Sequence, residues 1–240
     1  MGSMHEQSDS GKFRPHPRLP PLPGEGAITK PAMTTTFIII RHGETFWNRA
    51  HRIQGHLDSD LTTEGVAQAE ACALRLKGEA IDAVVSSDLG RARHTTDVLT
   101  NGLPLPIHFR PCLRERCFGI GEGMTYAEME AAYPQMFSAT GLVDAEFTLP
   151  DGESRNLFHQ RVRGAIEHLA VTHAGKCVLI VTHGGVLGVI YRWLNELPVG
   201  ALKIAIPNVG YNRISTIQGS WKIEVWGDTS HLVVGTFEDG

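Results

Sequence analysis

The ten residues from Thr36 to Thr45 constrain the fold of this chain more than any other stretch. An apolar, largely β-branched run over residues 36–40 stops abruptly at Arg41-His42-Gly43-Glu44. Such a run predicts a buried strand, because strands covered on both faces are almost continuously apolar. The strand would carry a guanidinium and an imidazole to its carboxyl end, which is where open α/β sheets bind their ligands.

The rest of the pattern alternates strands with helices. Further strands are predicted at 81–85, 105–109 and 177–181, and helices at 63–76, from about 90 onward, 125–137 (broken by Pro134), 153–173 and 186–197. Two alternating runs, 211–217 and 221–226, are joined at Gln218-Gly219-Ser220 and predict a hairpin. We therefore predict a three-layer α/β/α sandwich with a mainly parallel sheet and an antiparallel edge.

Residues 1–35 differ from the remainder in composition. This segment is rich in proline, with glycine, serine and charged residues between the prolines, and it has little apolar surface to bury. It is predicted to be a disordered tail. Residues 36–240 are predicted to form one domain, in which the glycine-rich segment 119–152 is a cap over the site.

Composition excludes several classes of function. The formal net charge of −4 gives no reason to expect nucleic-acid binding, and no apolar run reaches the roughly 18 residues that span a membrane. The four cysteines form no C-x-x-C pair and no H-x-x-x-H pair occurs, so no metal site is predicted. Reduced cysteines indicate a cytoplasmic protein.

Three predicted strands end in chemically functional turns. Arg41 and His42 follow the first, Ser86-Ser87 and then Arg91 follow the second, and Thr182-His183 follow the third. The carboxyl ends of parallel strands lie at one edge of a sheet, so these groups are expected to converge. Glu115 would join them from a loop.

This set of side chains suits phosphoryl transfer. Guanidinium groups offer paired donors that match phosphate oxygens and stabilise the charge spread over them in the transition state. A neutral imidazole can attack phosphorus and form a covalent intermediate that water then hydrolyses. A carboxyl group is needed to protonate the leaving oxygen and later to activate that water.

Four motifs in this order resemble the histidine phosphatase superfamily, which includes the cofactor-dependent phosphoglycerate mutases. They are Arg41-His42-Gly43-Glu44-Thr45-Phe46-Trp47-Asn48, Ser86-Ser87-Asp88-Leu89-Gly90-Arg91-Ala92, Leu113-Arg114-Glu115-Arg116 and Thr182-His183-Gly184. The resemblance covers about residues 36–232 and implies a phosphoglycerate mutase-like fold. It also implies an enzyme that uses no metal and no nucleotide cofactor.

The resemblance implies a role for each matching residue. His42 would be the nucleophile that becomes phosphohistidine, and Glu115 would be the general acid and then the general base. Arg41, Arg91 and His183 would complete the phosphate pocket. The remaining expected contacts with substrate are Asn48, Gln54, Gly55, Arg116 and the main chain at Gly184. His56 and Arg93 have no such role and are interpreted as surface or core residues.

The sequence leaves the acceptor of the phosphoryl group open. A mutase must hold a second anion, yet the predicted cap 119–152 contains no lysine or arginine. That absence favours a phosphatase acting on a small phosphorylated metabolite, with Met124 and Tyr126 among the residues that meet its other end. A mutase and a non-catalytic phosphate-binding module stay as alternatives, and the apolar hairpin leaves a homodimer open.

Overall fold

The computed structural model describes residues 33–134, 145–200 and 204–232. Within them lie six strands, β1 Thr35–Arg41, β2 Ala83–Ser86, β3 Ile107–Phe109, β4 Cys177–Thr182, β5 Tyr211–Ile217 and β6 Ser220–Asp228. The helices are α1 Phe46–Arg49, α2 Thr63–Leu76, α3 Gly90–Leu99, α4 Tyr126–Ala132, α5 Arg155–Thr172 and α6 Gly184–Leu194. No helix in these ranges is both long and apolar enough to cross a membrane.

The six strands form one sheet in the order β3-β2-β4-β1-β5-β6. Strands β3, β2, β4 and β1 are parallel, whereas β5 runs antiparallel to β1 and pairs with β6 as a hairpin. Ile38 pairs with Leu179 at the centre of the sheet, between β1 and β4. The predicted mainly parallel sheet with an antiparallel edge is therefore confirmed.

Alternate residues of β1 and β4 face two separate apolar cores. Phe37 and Ile39 pack with apolar side chains of α5 and α6, and Ile38 and Ile40 pack with side chains of α2 and α3. All four are fully buried. Helices thus cover both faces of the sheet, which explains the continuously apolar sequence of β1 and confirms the three-layer arrangement.

Polar side chains fix the starts of several helices. Thr62 accepts a hydrogen bond from the Gly65 amide at the start of α2, and Ser154 accepts one from the Leu157 amide at the start of α5. Such caps satisfy amide groups that have no partner inside the helix. The capping threonine predicted for α2 is therefore present.

Several predicted boundaries shift by a few residues. Strand β1 begins at Thr35, which the sequence assigned to the tail, because Thr35 pairs with Thr216 in β5. Helix α6 begins at Gly184 and ends at Leu194, so it is shifted towards the amino terminus of its predicted range. Helix α4 ends at Ala132, before Pro134. The predicted tail up to residue 32 and cap residues 135–144 lie outside the described ranges.

Candidate active site

The carboxyl ends of three parallel strands bring the predicted site residues to one edge of the sheet. Arg41 ends β1 and is paired with Thr182, the last residue of β4, while Ser86 at the end of β2 pairs with Val181. The turns that follow these strands carry His42, Ser87 and His183. The expected convergence is therefore present in the structure.

His42 is buried with one ring nitrogen already engaged. Its Nδ1 lies 2.8 Å from the carbonyl oxygen of Gly43, so Nδ1 carries the proton and donates it. Nε2 consequently has a free lone pair. Burial, followed by the charges of Arg91 and Arg41, holds the pKa of His42 well below its usual value. The imidazole is thus neutral at pH 7, as a nucleophile must be.

His183 is fully buried next to His42, with ring centroids 5.3 Å apart. Its Nε2 lies 2.7 Å from the Ser87 hydroxyl oxygen, and its buried Nδ1 has no partner in the described ranges. Ser87 Oγ accepts the Leu89 amide and can also donate its own proton to His183 Nε2. We assign the proton of the neutral His183 ring to Nδ1, so that Nε2 accepts from Ser87 and the Nδ1–H group can donate to a ligand. Burial and then the charge of Arg91 hold the pKa of His183 well below its usual value.

Arg91 is buried at the start of α3 and tied to the loop before α2. Its terminal nitrogens donate to the carbonyls of Gly55 and Leu57, at 2.7 and 2.8 Å, and to Asp58 Oδ1 at 2.8 Å. The Asp58 carboxylate also accepts the backbone amides of Gly90 and Arg91. The Nε atom of Arg91 is buried and lacks a hydrogen-bond partner within the described residues.

Arg41, at the end of β1, has a similar arrangement. One terminal nitrogen donates to the Ile206 carbonyl at 2.6 Å, and the buried Nε has no acceptor among the described residues. Burial lowers the pKa of the Arg41 guanidinium, although Glu115 opposes that shift. Buried donors without partners are costly, at about 1–3 kcal/mol each. Three such N–H groups near His42, from Arg41, Arg91 and His183, suit an oxyanion ligand.

Glu115 is held against the amino-terminal turn of α6. Its Oε2 accepts the Gly185 amide at 2.8 Å, and its Oε1 accepts the Arg116 amide at 2.8 Å. A Cβ atom at position 185 would lie 2.0 Å from Glu115 Oε1. The Glu115 carboxyl group can therefore occupy this position only when residue 185 is a glycine.

Side chains that the motifs do not include brace the loop of Glu115. The Arg161 guanidinium donates to the carbonyls of Arg114 and Glu115 while forming two hydrogen bonds with the Glu153 carboxylate. His56 Nε2 lies 2.9 Å from the Glu115 carbonyl oxygen. His56 thus has the structural role expected from the sequence, and it is bonded to the backbone of the loop that carries Glu115.

Of the other expected contact residues, some make contacts that position the site, and one, Gln54, carries a polar atom that no described residue bonds. Gly55 adopts φ +54° and anchors Arg91 through its carbonyl, whereas a Cβ atom at position 184 would lie 3.3 Å from Arg41 Nε. Asn48 Oδ1 accepts the Thr45 amide within the cap of α1. Gln54 is buried with its Oε1 unpartnered in the described part of the chain. The structure thus gives Gly55 and Asn48 positioning contacts and places Gly184 close to the Arg41 guanidinium.

A cavity of about 180 Å³ lies beside Glu115. Its lining includes Arg116, Arg155 and Arg192, together with Tyr126. The sequence predicted Tyr126 and Met124 next to the substrate; Tyr126 lines this cavity, whereas Met124 packs against a small apolar core of Ile53, Met129 and Leu149. The three arginines come from outside the cap, and the sequence predicted only Arg116 among them as a substrate contact.

The described ranges contain no group of three or more His, Cys, Asp or Glu side chains able to hold a metal ion. Three neighbours of the site were not predicted: Asp58, Arg161 and His56. Ser87 was expected at this edge of the sheet, but the sequence assigned it no contact with His183. Asp58, Arg161 and His56 contact the site across 33 to 59 positions of sequence, and no local pattern marks them.

Comparisons with known proteins agree with this geometry. A family model described as the histidine phosphatase superfamily (branch 1) matches residues 37–229. A metal-independent phosphoserine phosphatase of Arabidopsis thaliana is 39% identical over 202 residues, covering 82% of this chain and 83% of that protein. Phosphoglycerate mutase-like protein 4 of the same plant is 35% identical over 199 residues, covering 81% and 86%.

The solved structure of Bacillus stearothermophilus YhfR has the same fold. It superposes with a TM-score of 0.77 at 32% sequence identity, over 82% of this chain and 99% of its own. The sequence relatives carry both phosphatase and mutase names, so their common ground is phosphoryl transfer.

Proposed function

The chain belongs to the histidine phosphatase superfamily, and we propose that it is a metal-independent phosphomonoesterase that hydrolyses small phosphate monoesters. One observation carries this proposal. The Nδ1 proton of His42 is donated to the Gly43 carbonyl, so the Nε2 lone pair is available beside the unpartnered N–H groups of Arg41, Arg91 and His183. A nucleophile surrounded by such donors suits a phosphoryl group.

In the first step His42 Nε2 attacks phosphorus and the ester P–O bond breaks. The Glu115 carboxyl group gives its proton to the departing oxygen, which leaves as an alcohol. The guanidinium groups of Arg41 and Arg91, with His183 Nδ1–H, stabilise the negative charge on the phosphoryl oxygens. The enzyme then carries a phosphoryl group on His42 Nε2.

In the second step the Glu115 carboxylate takes a proton from water as that water attacks phosphorus. The P–N bond breaks, His42 recovers its lone pair, and inorganic phosphate leaves. Glu115 is again protonated and ready for the next ester. Both amides that hold Glu115, at Gly185 and Arg116, keep the carboxyl group fixed through the two steps.

A phosphoglycerate mutase is the second candidate. The arginines near Glu115 and the 35% identity to a phosphoglycerate mutase-like protein favour it. The 39% identity to a phosphoserine phosphatase and the absence of lysine and arginine from the cap sequence favour hydrolysis. The retained set of His42, Arg91, Glu115 and His183 argues against a module that only binds phosphate.

The test measures phosphate release and isomerisation side by side. We expect hydrolysis of p-nitrophenyl phosphate in the presence of EDTA, and slower interconversion of 2- and 3-phosphoglycerate than phosphate release from them. Arg91→Gln should lose at least about tenfold in kcat/KM, as for a lost charge-assisted hydrogen bond. Arg93→Gln is its matched control, because Arg93 is exposed on the same helix.

Loss of hydrolysis on addition of EDTA would point to a metal phosphatase instead. Isomerisation faster than phosphate release would establish the mutase. The cytoplasm is the proposed location, since all four cysteines are free thiols. A small phosphorylated metabolite is the proposed partner.

A further inference from the structure

One carboxylate of the predicted cap reaches back to the loop that holds Arg91. The Oε1 atom of Glu122 accepts the His56 amide at 2.9 Å, and its Oε2 atom accepts the Leu57 amide at 3.0 Å. Oε1 also accepts the Phe118 amide at 3.0 Å, next to the start of the cap. Glu122 therefore ties the start of the cap to residues that lie 65 and 66 positions earlier in the sequence.

The loop approaches Glu122 closely because residue 55 is a glycine. A Cβ atom at this position would lie 2.0 Å from Glu122 Oε1 and 2.5 Å from its Cδ. Main-chain hydrogen bonds continue the contact, since Ile53 accepts the Gly123 amide and donates to the Met124 carbonyl, both at 2.8 Å. The loop and the start of the cap are thus held together by main-chain bonds and by the Glu122 carboxylate.

The loop that Glu122 binds is also the loop whose carbonyls fix Arg91. The Arg91 guanidinium donates to the Gly55 carbonyl at 2.7 Å and to the Leu57 carbonyl at 2.8 Å. Leu57 thus binds Glu122 through its N–H group and Arg91 through its C=O group. The buried Nε of Arg91, which has no partner among the described residues, is one of the donors proposed for the phosphoryl group. Together with Asp58, the loop sets the position of that donor.

A second path leads from the same loop to Glu115. The Nε2 atom of His56 lies 2.9 Å from the Glu115 carbonyl oxygen, so Nε2 carries a proton and donates it. Glu122 fixes the backbone from which this ring extends, because it accepts the His56 amide. Arg161 donates to the same carbonyl at 3.2 Å and shares this task. The path to Arg91 is therefore the one that depends more on Glu122.

The charge of Glu122 also acts on Arg91. Burial lowers the pKa of Arg91, and the charges of Asp58, Glu115 and then Glu122 oppose that shift. A negative charge this close to the site repels a phosphate dianion. A role through charge alone therefore predicts tighter anion binding when the charge is removed. A role in placing Arg91 predicts the opposite, namely weaker binding.

We propose that Glu122 is a positioning residue, which places the Arg91 guanidinium for the phosphoryl group by holding the loop 54–57. This inference rests on the proposed function, because it concerns the phosphate pocket of that reaction. Glu122 itself does not need to touch the substrate. The predicted cap would thus shape the phosphate side of the site as well as the side that meets the leaving group.

The first experiment measures anion binding in Glu122→Gln. The glutamine keeps the shape of the side chain, but its NH₂ group cannot accept an amide, so the bond to either His56 or Leu57 is lost in each orientation. We expect the dissociation constant of orthovanadate, measured by titration calorimetry, to rise by about tenfold. The value of kcat/KM for p-nitrophenyl phosphate should fall by a similar factor.

Glu128→Gln is the matched control. Glu128 is an exposed carboxylate of the same predicted cap, and it accepts the Thr125 amide instead of an amide of the loop. Its vanadate binding and activity should equal those of the wild type. Glu122→Asp is a second variant, which keeps the charge but is one methylene shorter. It should also weaken vanadate binding, and urea unfolding should show all three variants folded.

A double-mutant cycle tests whether the effect passes through Arg91. In an Arg91→Gln background, Glu122→Gln should change the dissociation constant of vanadate by less than about twofold, because the loop then has no guanidinium to place. Full additivity of the two substitutions would overturn the proposed path. His56→Phe should leave vanadate binding unchanged, since its ring contacts the Glu115 carbonyl rather than Arg91.

Tighter vanadate binding in Glu122→Gln would overturn the inference and leave Glu122 with an effect of charge alone. Wild-type binding in both Glu122→Gln and Glu122→Asp would overturn it as well, with the phosphatase still in place. A wild-type chain that releases no phosphate from p-nitrophenyl phosphate would instead contradict the proposed function. The calorimetric cycle needs no turnover, so it separates the two failures.

Discussion

The contact between Glu115 and Gly185 makes a sharp prediction for Gly185→Ala. The new Cβ would lie 2.0 Å from Glu115 Oε1 and 2.8 Å from its Cδ, distances at which the carboxyl group must move. Moving it breaks its hydrogen bonds to the Gly185 and Arg116 amides, both 2.8 Å long. Loss of a positioned general acid costs about 10²- to 10⁴-fold in rate.

The same substitution should leave the chain folded. The atoms that the Cβ meets belong to a side chain, and alanine is favoured over glycine in helices by up to about 1 kcal/mol. Gly185→Ala should therefore lose activity without unfolding. Gly164→Ala is the matched control, because it introduces alanine in α5 where no atom lies within 4 Å.

The assay compares kcat/KM for an alkyl ester and for p-nitrophenyl phosphate. Since p-nitrophenolate departs without a proton, Gly185→Ala should lose at least about tenfold more with the alkyl ester than with the aryl ester. Gly164→Ala should match the wild type with both esters, and urea unfolding should show both variants folded. An equal loss with the two esters, or wild-type activity in Gly185→Ala, would refute the assignment of Glu115 as the acid.

Three further predictions concern the groups around the nucleophile. Ser87→Ala removes the hydrogen bond at Nε2 of His183 and should lower kcat by about tenfold. It should also change the long-range ¹H–¹⁵N spectrum of His183. An unchanged spectrum would refute the assignment of the His183 proton to Nδ1. Asp58→Ala should lower the free energy of unfolding in urea by about 1 kcal/mol, because Asp58 caps α3 through the Gly90 amide. It should also lower kcat/KM, because Asp58 holds the Arg91 guanidinium. Wild-type values of both quantities would refute the role of Asp58 in holding α3 and Arg91. Below pH 6.5 the unfolded chain protonates His42 and His183 while the folded chain keeps them neutral, so unfolding should become easier by about 1.4 kcal/mol per pH unit for each. His183→Gln should reduce the slope by about 1.4 kcal/mol per pH unit in urea titrations, and an unchanged slope would contradict the neutral state of the ring.

Local patterns were sufficient to predict the sheet and most of the helices. The continuously apolar β1 and the cap at Thr62 are properties of neighbouring residues, and both are present as predicted. The approach of Arg41, His42 and His183 followed from parallel strand order alone. Their roles in catalysis stay predictions until the variants are measured.

Contacts between distant segments could not be predicted in this way. Gly185 holds Glu115 across 70 positions of sequence, and Asp58 holds Arg91 across 33. Arg155 lies beside Glu115 only because α5 and α6 pack together on one face of the sheet. A count of cations within the cap sequence therefore missed the charge that the fold brings to the cavity.

The most direct test of the account is the site of phosphorylation after brief reaction with a phosphate ester. We predict an acid-labile, base-stable phosphoryl group on Nε2 of His42, because Nδ1 is bonded to the Gly43 carbonyl. Mass spectrometry locates the residue, and isomer-specific antibodies or ³¹P NMR distinguish the two nitrogens. A label that persists in His42→Ala, or one attached to Nδ1, would contradict the account.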